Sequence, residues 1–349
     1  RTCEQGFKPL ILNIYAILSI CAHPRRRRAG GLDPAAQASE RGRPPSESPP
    51  PLRMTAVLPS TYAENLRGAG FISLSMLGFA VNDALMKLVG PELGLFQAVF
   101  LRGLFATFAI GALAVIFGAI RRPSRRDLAW IGARTAGEIG ATVCVLTAVF
   151  NMPLAAVSSI LQTLPLSLTL VGALFLGERV GWRRWGAILV GFAGVLVLLR
   201  PGAGDFDPYA LWALAAVGFV TLRDVATRKI GRATPSLLVT ASTTGAVTVL
   251  AGLAVAEGGG WTPVPAASLA GLAGAAGAIL VGYFFGVQGM RVGDIGFIAP
   301  FRYTILIWSM LLGFLLFAER PDAATWTGAA IIVGAGLYTF RRERRAARG

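Results

Sequence analysis

The stretch GFAVNDALMKLVG (residues 78–90) carries two charged residues, Asp83 and Lys87, within a long apolar run. An ionisable side chain in hydrocarbon costs free energy on every transfer scale, so such residues usually mark an ion or substrate pathway. Their spacing of four would place both side chains on one face of a helix, where the two charges can meet. We therefore expect an interior, pathway-facing site here. The alternative is that Lys87 extends to the membrane surface and Asp83 only neutralises it.

The composition of the whole chain is that of an integral membrane protein. Of 349 residues, 54% are hydrophobic and 15% are charged, and 43 are glycine; the mean hydropathy is +0.61. A soluble domain is about 25% charged, and abundant small residues suit helix packing in membranes. The net charge of +15 does not indicate nucleic-acid binding, because the arginines cluster between apolar runs. The three cysteines have no framework spacing, which predicts neither a disulfide scaffold nor a zinc site.

Residues 1–53 differ in composition from the rest of the chain. They begin with Arg1 and include HPRRRRAGG and RGRPPSESPPPLR, which are too rich in proline, serine and arginine to bury a core. Their one apolar run, PLILNIYAILSI, is shorter than the roughly 20 residues of a membrane span. We interpret Met54 as the start of the folded protein and the upstream part as an over-extended reading frame. A disordered basic tail is the alternative.

Ten apolar runs follow, most of them near the length of roughly 20 residues that crosses a bilayer. Because they are long and continuously apolar, they predict an all-α protein with ten transmembrane helices, not the strands of a barrel. The runs fall at about 67–89, 94–120, 128–150, 153–176, 183–200, 208–230, 236–256, 265–289, 294–317 and 322–340.

The charges of the loops predict the orientation of these helices. Arginines follow the second, fourth and sixth spans, acidic residues follow the fifth, seventh and ninth, and the tail 341–349 is strongly basic. Cytoplasmic loops carry the excess of lysine and arginine. We therefore expect both termini in the cytoplasm.

The opening motif recurs in the second half of the chain. GFVTLRDVATRKIG (218–231) again begins with Gly-Phe, ends with glycine and holds an aspartate followed four residues later by a basic residue. Asp224 matches Asp83 and Arg228 matches Lys87, both at an offset of 141 residues. A shared offset at both charged positions is hard to obtain by chance, and it indicates an internal repeat.

The same offset of 141 separates Glu178 from Glu319, two helix-end residues that we interpret as structural anchors. We interpret the chain as two repeats of five helices each, 67–200 and 208–340. Because five is odd, the second repeat enters the membrane from the opposite side. Inverted repeats are the architecture of alternating-access transporters, in which the substrate site lies near the midplane between the halves.

Further ionisable residues lie inside the predicted spans. Arg134 and Glu138 are again four residues apart, with Glu138 near the midplane. They predict either a proton-coupling or cation-binding site or a buried structural ion pair. Arg102 and Arg302 could hold a carboxylate or phosphate through two parallel N–H groups. They could equally neutralise neighbouring acidic residues.

Polar and aromatic residues complete the set of candidates. Gln162, Thr163 and Pro165 interrupt the fourth span, as a binding-site helix would. Aromatic side chains that include Tyr283 and Tyr303 could stack on a flat ligand, although aromatics also face lipid. The candidate pathway residues are Asp83, Lys87, Arg102, Arg134, Glu138, Gln162, Thr163, Asp224, Arg302 and Tyr303.

Residues 68–340 resemble the drug/metabolite transporter superfamily, specifically its proteins with two EamA domains. The motifs that carry the resemblance are AAVSSILQTLPL (155–166), LFLGER (174–179) and RRWGAILVGFAGV (183–195), with looser matches in GFIAPFRY (296–303), FAER (317–320) and GAAIIVGAG (328–336). In the second half, Leu306 stands at the position equivalent to Pro165, and Pro300 lies earlier. The two central helices therefore need not be alike.

The resemblance implies a secondary transporter of a small organic metabolite in the bacterial inner membrane. The combination of FAVNDALMK with APFRYT is similar to the subgroup that transports riboflavin or S-adenosylmethionine. An exporter of amino-acid-like metabolites or drugs is the alternative. The expected partners are the small-molecule substrate and the lipid bilayer, with no nucleic acid and no cofactor, and a homodimer is left open.

Two other classes of protein fit the sequence less well. A membrane enzyme needs a nucleophile, a base or a metal site at the membrane surface, but the single histidine, His23, lies in the N-terminal extension, and no loop holds a carboxylate cluster. A sensor or scaffold would not need paired repeats with interior charges. The sequence shows no ATP-binding motif, so we expect coupling to an ion gradient or to exchange.

Overall fold

The computed structural model describes residues 61–120, 122–175, 181–200, 207–231, 233–258, 260–292 and 295–346. The predicted N-terminal extension and the predicted anchor Glu178 lie outside these residues. In the described part every regular element is a helix, and ten of these helices are long and apolar enough to cross a membrane. The predicted number of spans is therefore confirmed.

In chain order the helices are α1 (Tyr62–Leu93), α2 (Leu95–Ile116), α3 (Arg125–Asn151), α4 (Leu154–Phe175), α5 (Trp182–Leu199), α6 (Tyr209–Lys229), α7 (Ser236–Glu257), α8 (Ala266–Val292), α9 (Ala299–Phe317) and α10 (Ala323–Ala346). A single helical turn, Ile295–Ile298, precedes α9.

Local side-chain bonds set where α1 and α3 begin. At α1 the Thr61 hydroxyl accepts from the Glu64 N–H, and the Glu64 carboxylate accepts from the Thr61 N–H at 2.7 Å, so the pair forms a capping box. At α3, Ser124 caps the N–H of Asp127. The Asp127 carboxylate also accepts from the Gly231 N–H at 2.9 Å. The start of α3 is thereby tied to the α6–α7 loop.

Both central helices, α4 and α9, are interrupted. In α4 the α-helical segments Leu154–Leu161 and Leu164–Phe175 are separated at Gln162 and Thr163, as the sequence predicts. In α9 the first five residues, Ala299–Tyr303, form a 3-10 turn before the α-helix Thr304–Phe317. The proline of α9 is not equivalent to Pro165: Pro300 lies at the start of this 3-10 turn.

The helices pair in a symmetric pattern. The most extensive contacts join α1 with α8 and α3 with α6, and the next join α5 with α10 and α2 with α7. If each helix is replaced by the helix five places away in the chain, the α1–α8 pair becomes the α3–α6 pair. The α5–α10 and α2–α7 pairs are unchanged by the same exchange. This is the pattern expected when two five-helix units are related by a twofold axis.

Small residues allow the two dominant pairs to pack closely. At the crossing of α1 and α8, a Cβ on Gly78 would lie 2.8 Å from the Ala278 carbonyl oxygen and 2.9 Å from the Gly282 Cα. At the crossing of α3 and α6, a Cβ on Gly137 would lie 2.9 Å from the Arg223 backbone nitrogen. Glycine is required at both crossings because the opposing atoms belong to the backbone and cannot move away by side-chain rotation.

We expect Gly78→Ala to lower the thermal stability of the protein, because the added methyl group forces α1 and α8 apart. Overpacking of this kind costs about 1–3 kcal/mol. Gly70→Ala is the matched control on the same helix, since a Cβ there meets no atom within 4 Å. The measurement is the melting temperature of each purified variant in detergent. Equal melting temperatures for the two variants would contradict the close crossing.

Candidate substrate cleft and the charges around it

A cleft of about 80 Å³ lies between α2, α3, α7 and α8. A pocket for a drug-sized ligand is usually about 300 Å³ or larger. In this conformation the cleft therefore has room for a small chemical group, and it must widen to take up a whole metabolite. The polar residues in its walls are Arg102, Arg134, Glu138, Thr142, Thr240, Thr243, Thr244, Thr248 and Tyr283.

Arg102 joins the cleft to the opening motif of α1. Its Nη1 donates to the Asn82 side-chain oxygen at 3.1 Å, and the Asn82 amide nitrogen donates to Asp83 Oδ1 at 2.9 Å. The Asp83 carboxylate also interacts electrostatically with the Arg102 guanidinium. Asn82 is only 4% exposed, and buried amides are stable only when their polar atoms are bonded. Asp83 thus acts on the cleft through Asn82 and Arg102.

Glu138 occupies the midpoint of α3, and its ion-pair partner is Arg223 of α6. Arg223 Nη1 lies 3.6 Å from Glu138 Oε2. Arg223 makes much shorter bonds to Asp224, with Nε at 2.9 Å and Nη2 at 2.8 Å from Oδ1. A separation of 3.6 Å is too long for a hydrogen bond. Within the described residues the Glu138 carboxylate has a counter-charge but accepts no hydrogen bond.

Arg134 does not form the predicted pair with Glu138. Its Nη1 instead donates to Thr227 Oγ1 of α6 at 2.6 Å. The Thr227 hydroxyl donates to the Arg223 carbonyl at 2.7 Å, which leaves a lone pair for the guanidinium. The order of residues contributes, because a basic residue placed four before an acidic one is the weaker arrangement on a helix. Among the described residues, buried Nε of Arg134 has no hydrogen-bond partner.

Lys87 pairs with Glu319 and not with Asp83, and their contacts connect the end of α3, the start of α4 and the end of α9. Its Nζ lies 2.5 Å from Glu319 Oε1 and donates to the Met152 carbonyl at 2.5 Å. Glu319 Oε2 accepts from the Leu154 N–H at 2.8 Å, and the Phe317 ring lies 5.2 Å below the ammonium. We call this arrangement the Lys87–Glu319 latch. It confirms Glu319 as a helix-end anchor, and both side chains are only 13% exposed.

The backbone after α9 directs Glu319 into the latch. Ala318 adopts a left-handed conformation with φ of 53°, and the Glu319 N–H then bonds the Gly313 carbonyl at 3.0 Å. A Cβ on Gly313 would lie 2.6 Å from Glu319 Oε2. The carboxylate can therefore fold back over α9 only because Gly313 has no side chain.

The remaining predicted residues lie outside the walls of the cleft. Thr163 is fully buried, and its hydroxyl donates to a carbonyl of the preceding turn of α4 at 2.7 Å. Gln162, beside it, is half-buried, whereas Arg302 is exposed. The Tyr303 hydroxyl packs directly over Gly336 of α10. Thr163 and Tyr303 thus support the interrupted helices α4 and α9.

Sequence reasoning missed Asn82, Arg223 and the polar face of α7. Asn82 and Arg223 each directly precede an aspartate of the repeated motif, and this adjacency was the available signal. On α7, Thr240, Thr244 and Thr248 follow one another at intervals of four residues, which places them on one helix face. A polar stripe on an otherwise apolar span was the second signal that could have identified the cleft.

Comparisons with known proteins match this architecture. Residues 66–200 match the EamA-like transporter family. Over 292 residues the chain is 29% identical to the S-adenosylmethionine uptake transporter of Rickettsia conorii, covering 80% of this chain and 95% of that protein. The chain is thus similar to EamA-like transporters, by the family match in its first half and by this relative over most of its length.

A second relative is the riboflavin transporter of Vibrio cholerae, which is 26% identical over 288 residues and is covered to 96% of its length. A solved structure superposes on 81% of this chain and 99% of its own with a TM-score of 0.57 and 21% identity, a likeness of fold alone. The chain is accordingly a multi-pass membrane protein that is similar to transporters of small metabolites.

Proposed function

We propose that the protein is a secondary transporter that moves a metabolite related to S-adenosylmethionine or riboflavin by alternating access. The observation that carries this proposal is a charged, hydroxyl-lined cleft between four membrane-length helices. Ionisable residues are rare at such depth and usually belong to a transport pathway. The names of the two relatives supply the two substrate candidates.

The proposed architecture is two inverted repeats, 67–200 and 208–340, in the bacterial inner membrane. The offset of 141 residues between the repeated motifs supports it, as does the symmetric pairing of the helices. The basic loops and the basic tail 341–349 support cytoplasmic termini, which reporter fusions to the tail would test. A homodimer stays a prediction.

The proposed function predicts that one of the two candidate substrates binds and crosses the membrane. Purified protein in lipid nanodiscs would be melted with S-adenosylmethionine, riboflavin, amino acids and nucleosides. A ligand that binds only the folded state adds about 2.7 kcal/mol at 100 times its dissociation constant, so we expect a clear rise in melting temperature.

Flux of the radiolabelled ligand into and out of proteoliposomes then establishes transport and its direction. Liposomes without protein are the control for leakage. A panel in which neither S-adenosylmethionine nor riboflavin shifts the melting temperature or crosses the bilayer would contradict the proposed substrates.

A further inference from the structure

We infer that the cleft binds the α-amino acid group of its substrate as a zwitterion, with Arg134 holding the carboxylate and Glu138 the ammonium. This inference rests on the proposed transport function and narrows its substrate class. It follows from the unused bonding capacity of the two side chains, their spacing on α3, the balance of charge around them and the size of the cleft.

One N–H donor of Arg134 is unused. One of its terminal nitrogens is bonded to Thr227, whereas the buried Nε finds no acceptor among the described residues. A buried donor without a partner carries a desolvation cost. A carboxylate oxygen from a ligand would remove that cost, because the guanidinium presents its N–H groups in a planar fork that fits a carboxylate.

The carboxylate oxygens of Glu138 can accept further hydrogen bonds. Its contact with Arg223 is an ion pair at 3.6 Å, and the short bonds of Arg223 go to Asp224. An ammonium group can therefore bond Glu138 without displacing Arg223 from Asp224. Glu138 and Arg134 both line the cleft, and both act electrostatically on the Tyr283 hydroxyl.

The spacing of Arg134 and Glu138 matches an α-amino acid group. Residues four apart on a helix face have Cβ atoms about 5–6 Å apart. The carboxylate and the ammonium of an α-amino acid are attached to the same carbon atom. One such group can thus lie between the two side chains and contact both.

The charge around the cleft is balanced before any ligand binds. Three carboxylates and three guanidinium groups form this cluster: Asp83, Glu138 and Asp224, with Arg102, Arg134 and Arg223. A zwitterionic group leaves that balance unchanged, whereas a lone anion or cation would leave an uncompensated charge at low dielectric, which is costly.

The cleft favours this group over a flavin ring. Its volume of about 80 Å³ is well below the roughly 300 Å³ of a pocket for a drug-sized ligand, so it has room for a head group. Tyr283 is the one aromatic residue in its described walls, so there is no pair of rings to enclose a flat tricyclic ligand. S-adenosylmethionine carries an α-amino acid group, and riboflavin does not.

The test compares two probes that differ only in the carboxylate. Binding of radiolabelled S-adenosylmethionine to the full chain in nanodiscs would be competed by unlabelled S-adenosylmethionine, by decarboxylated S-adenosylmethionine and by riboflavin. We expect the decarboxylated compound to bind at least about tenfold more weakly, since hydrogen bonds to charged groups are the strong ones.

Arg134→Gln is expected to reduce this discrimination to about twofold or less, because the variant can no longer hold the carboxylate and its cluster has one positive charge fewer, which the lone ammonium of the decarboxylated compound compensates. Arg134→Lys keeps the positive charge and should retain part of the discrimination. The matched control is Arg126→Gln, which removes an exposed arginine at the start of the same helix and should leave both affinities as in the wild type.

Three results would overturn the zwitterion site. One is equal binding of both probes to the wild type, and another is an equal loss of both affinities in Arg134→Gln. The third is a wild type that binds riboflavin in preference to every probe with an amino acid group. In that third case riboflavin flux would still support the proposed transport function, so the two proposals fail separately.

Discussion

Glu138→Gln is expected to lower metabolite transport at least about tenfold, because the substitution removes a carboxylate that a bound ligand would otherwise bond in a low-dielectric site. Glutamine has nearly the same shape as glutamate, so packing at the midpoint of α3 is retained. Arg223 keeps its two short bonds to Asp224. The melting temperature should therefore stay close to that of the wild type.

Flux of radiolabelled substrate in proteoliposomes measures this effect. Asp83→Asn should behave in the same way, since an asparagine oxygen can still accept from Asn82 while the charge that acts on Arg102 is lost. Glu257→Gln is the control, because Glu257 is exposed at the end of α7, and we expect wild-type flux from it. Unchanged flux in Glu138→Gln with a large fall in melting temperature would identify Glu138 as part of a structural ion pair instead.

Glu319→Gln is expected to destabilise the protein by about 3–5 kcal/mol, the cost of removing one partner from a buried ion pair. Glutamine can still accept from the Leu154 N–H, so the loss isolates the effect on Lys87. The Lys87 ammonium would keep only the Met152 carbonyl and the Phe317 ring as partners. These neutral groups do not compensate a charge that is 13% exposed.

The double variant Lys87→Met with Glu319→Gln should recover most of the lost stability, because it removes the unpaired charge together with its partner. Asp322→Asn is the matched control. It disrupts the ion pair between Asp322 and Arg200, whose side chains are 51% and 32% exposed, and such surface pairs contribute about 0–1 kcal/mol. Thermal unfolding of the four proteins in detergent gives the comparison. A double variant that melts as low as Glu319→Gln would show that the latch contributes through something other than charge.

Two features of this protein could be read directly from the sequence, because they depend on local chemistry. A bilayer requires about 20 apolar residues in a helix, so the ten runs predicted ten helices, and all ten are present. Polar groups inside such runs stand out against an apolar background. Asp83, Arg102, Arg134 and Glu138 could be selected for that reason alone.

The partners of these residues were decided by the tertiary structure. The spacing along each helix suggested Lys87 with Asp83 and Arg134 with Glu138. The structure pairs Lys87 with Glu319, which is 232 residues away, and it pairs Glu138 with Arg223 of another helix.

The physical reason is that local spacing determines only which side chains share a helix face, while packing determines what that face meets. Gly78 and Gly137 let α1 approach α8 and α3 approach α6 to backbone contact, and these approaches bring distant charges within reach of one another. A charge in hydrocarbon takes the partner that packing brings to it, because leaving it unpaired costs more than any local preference supplies.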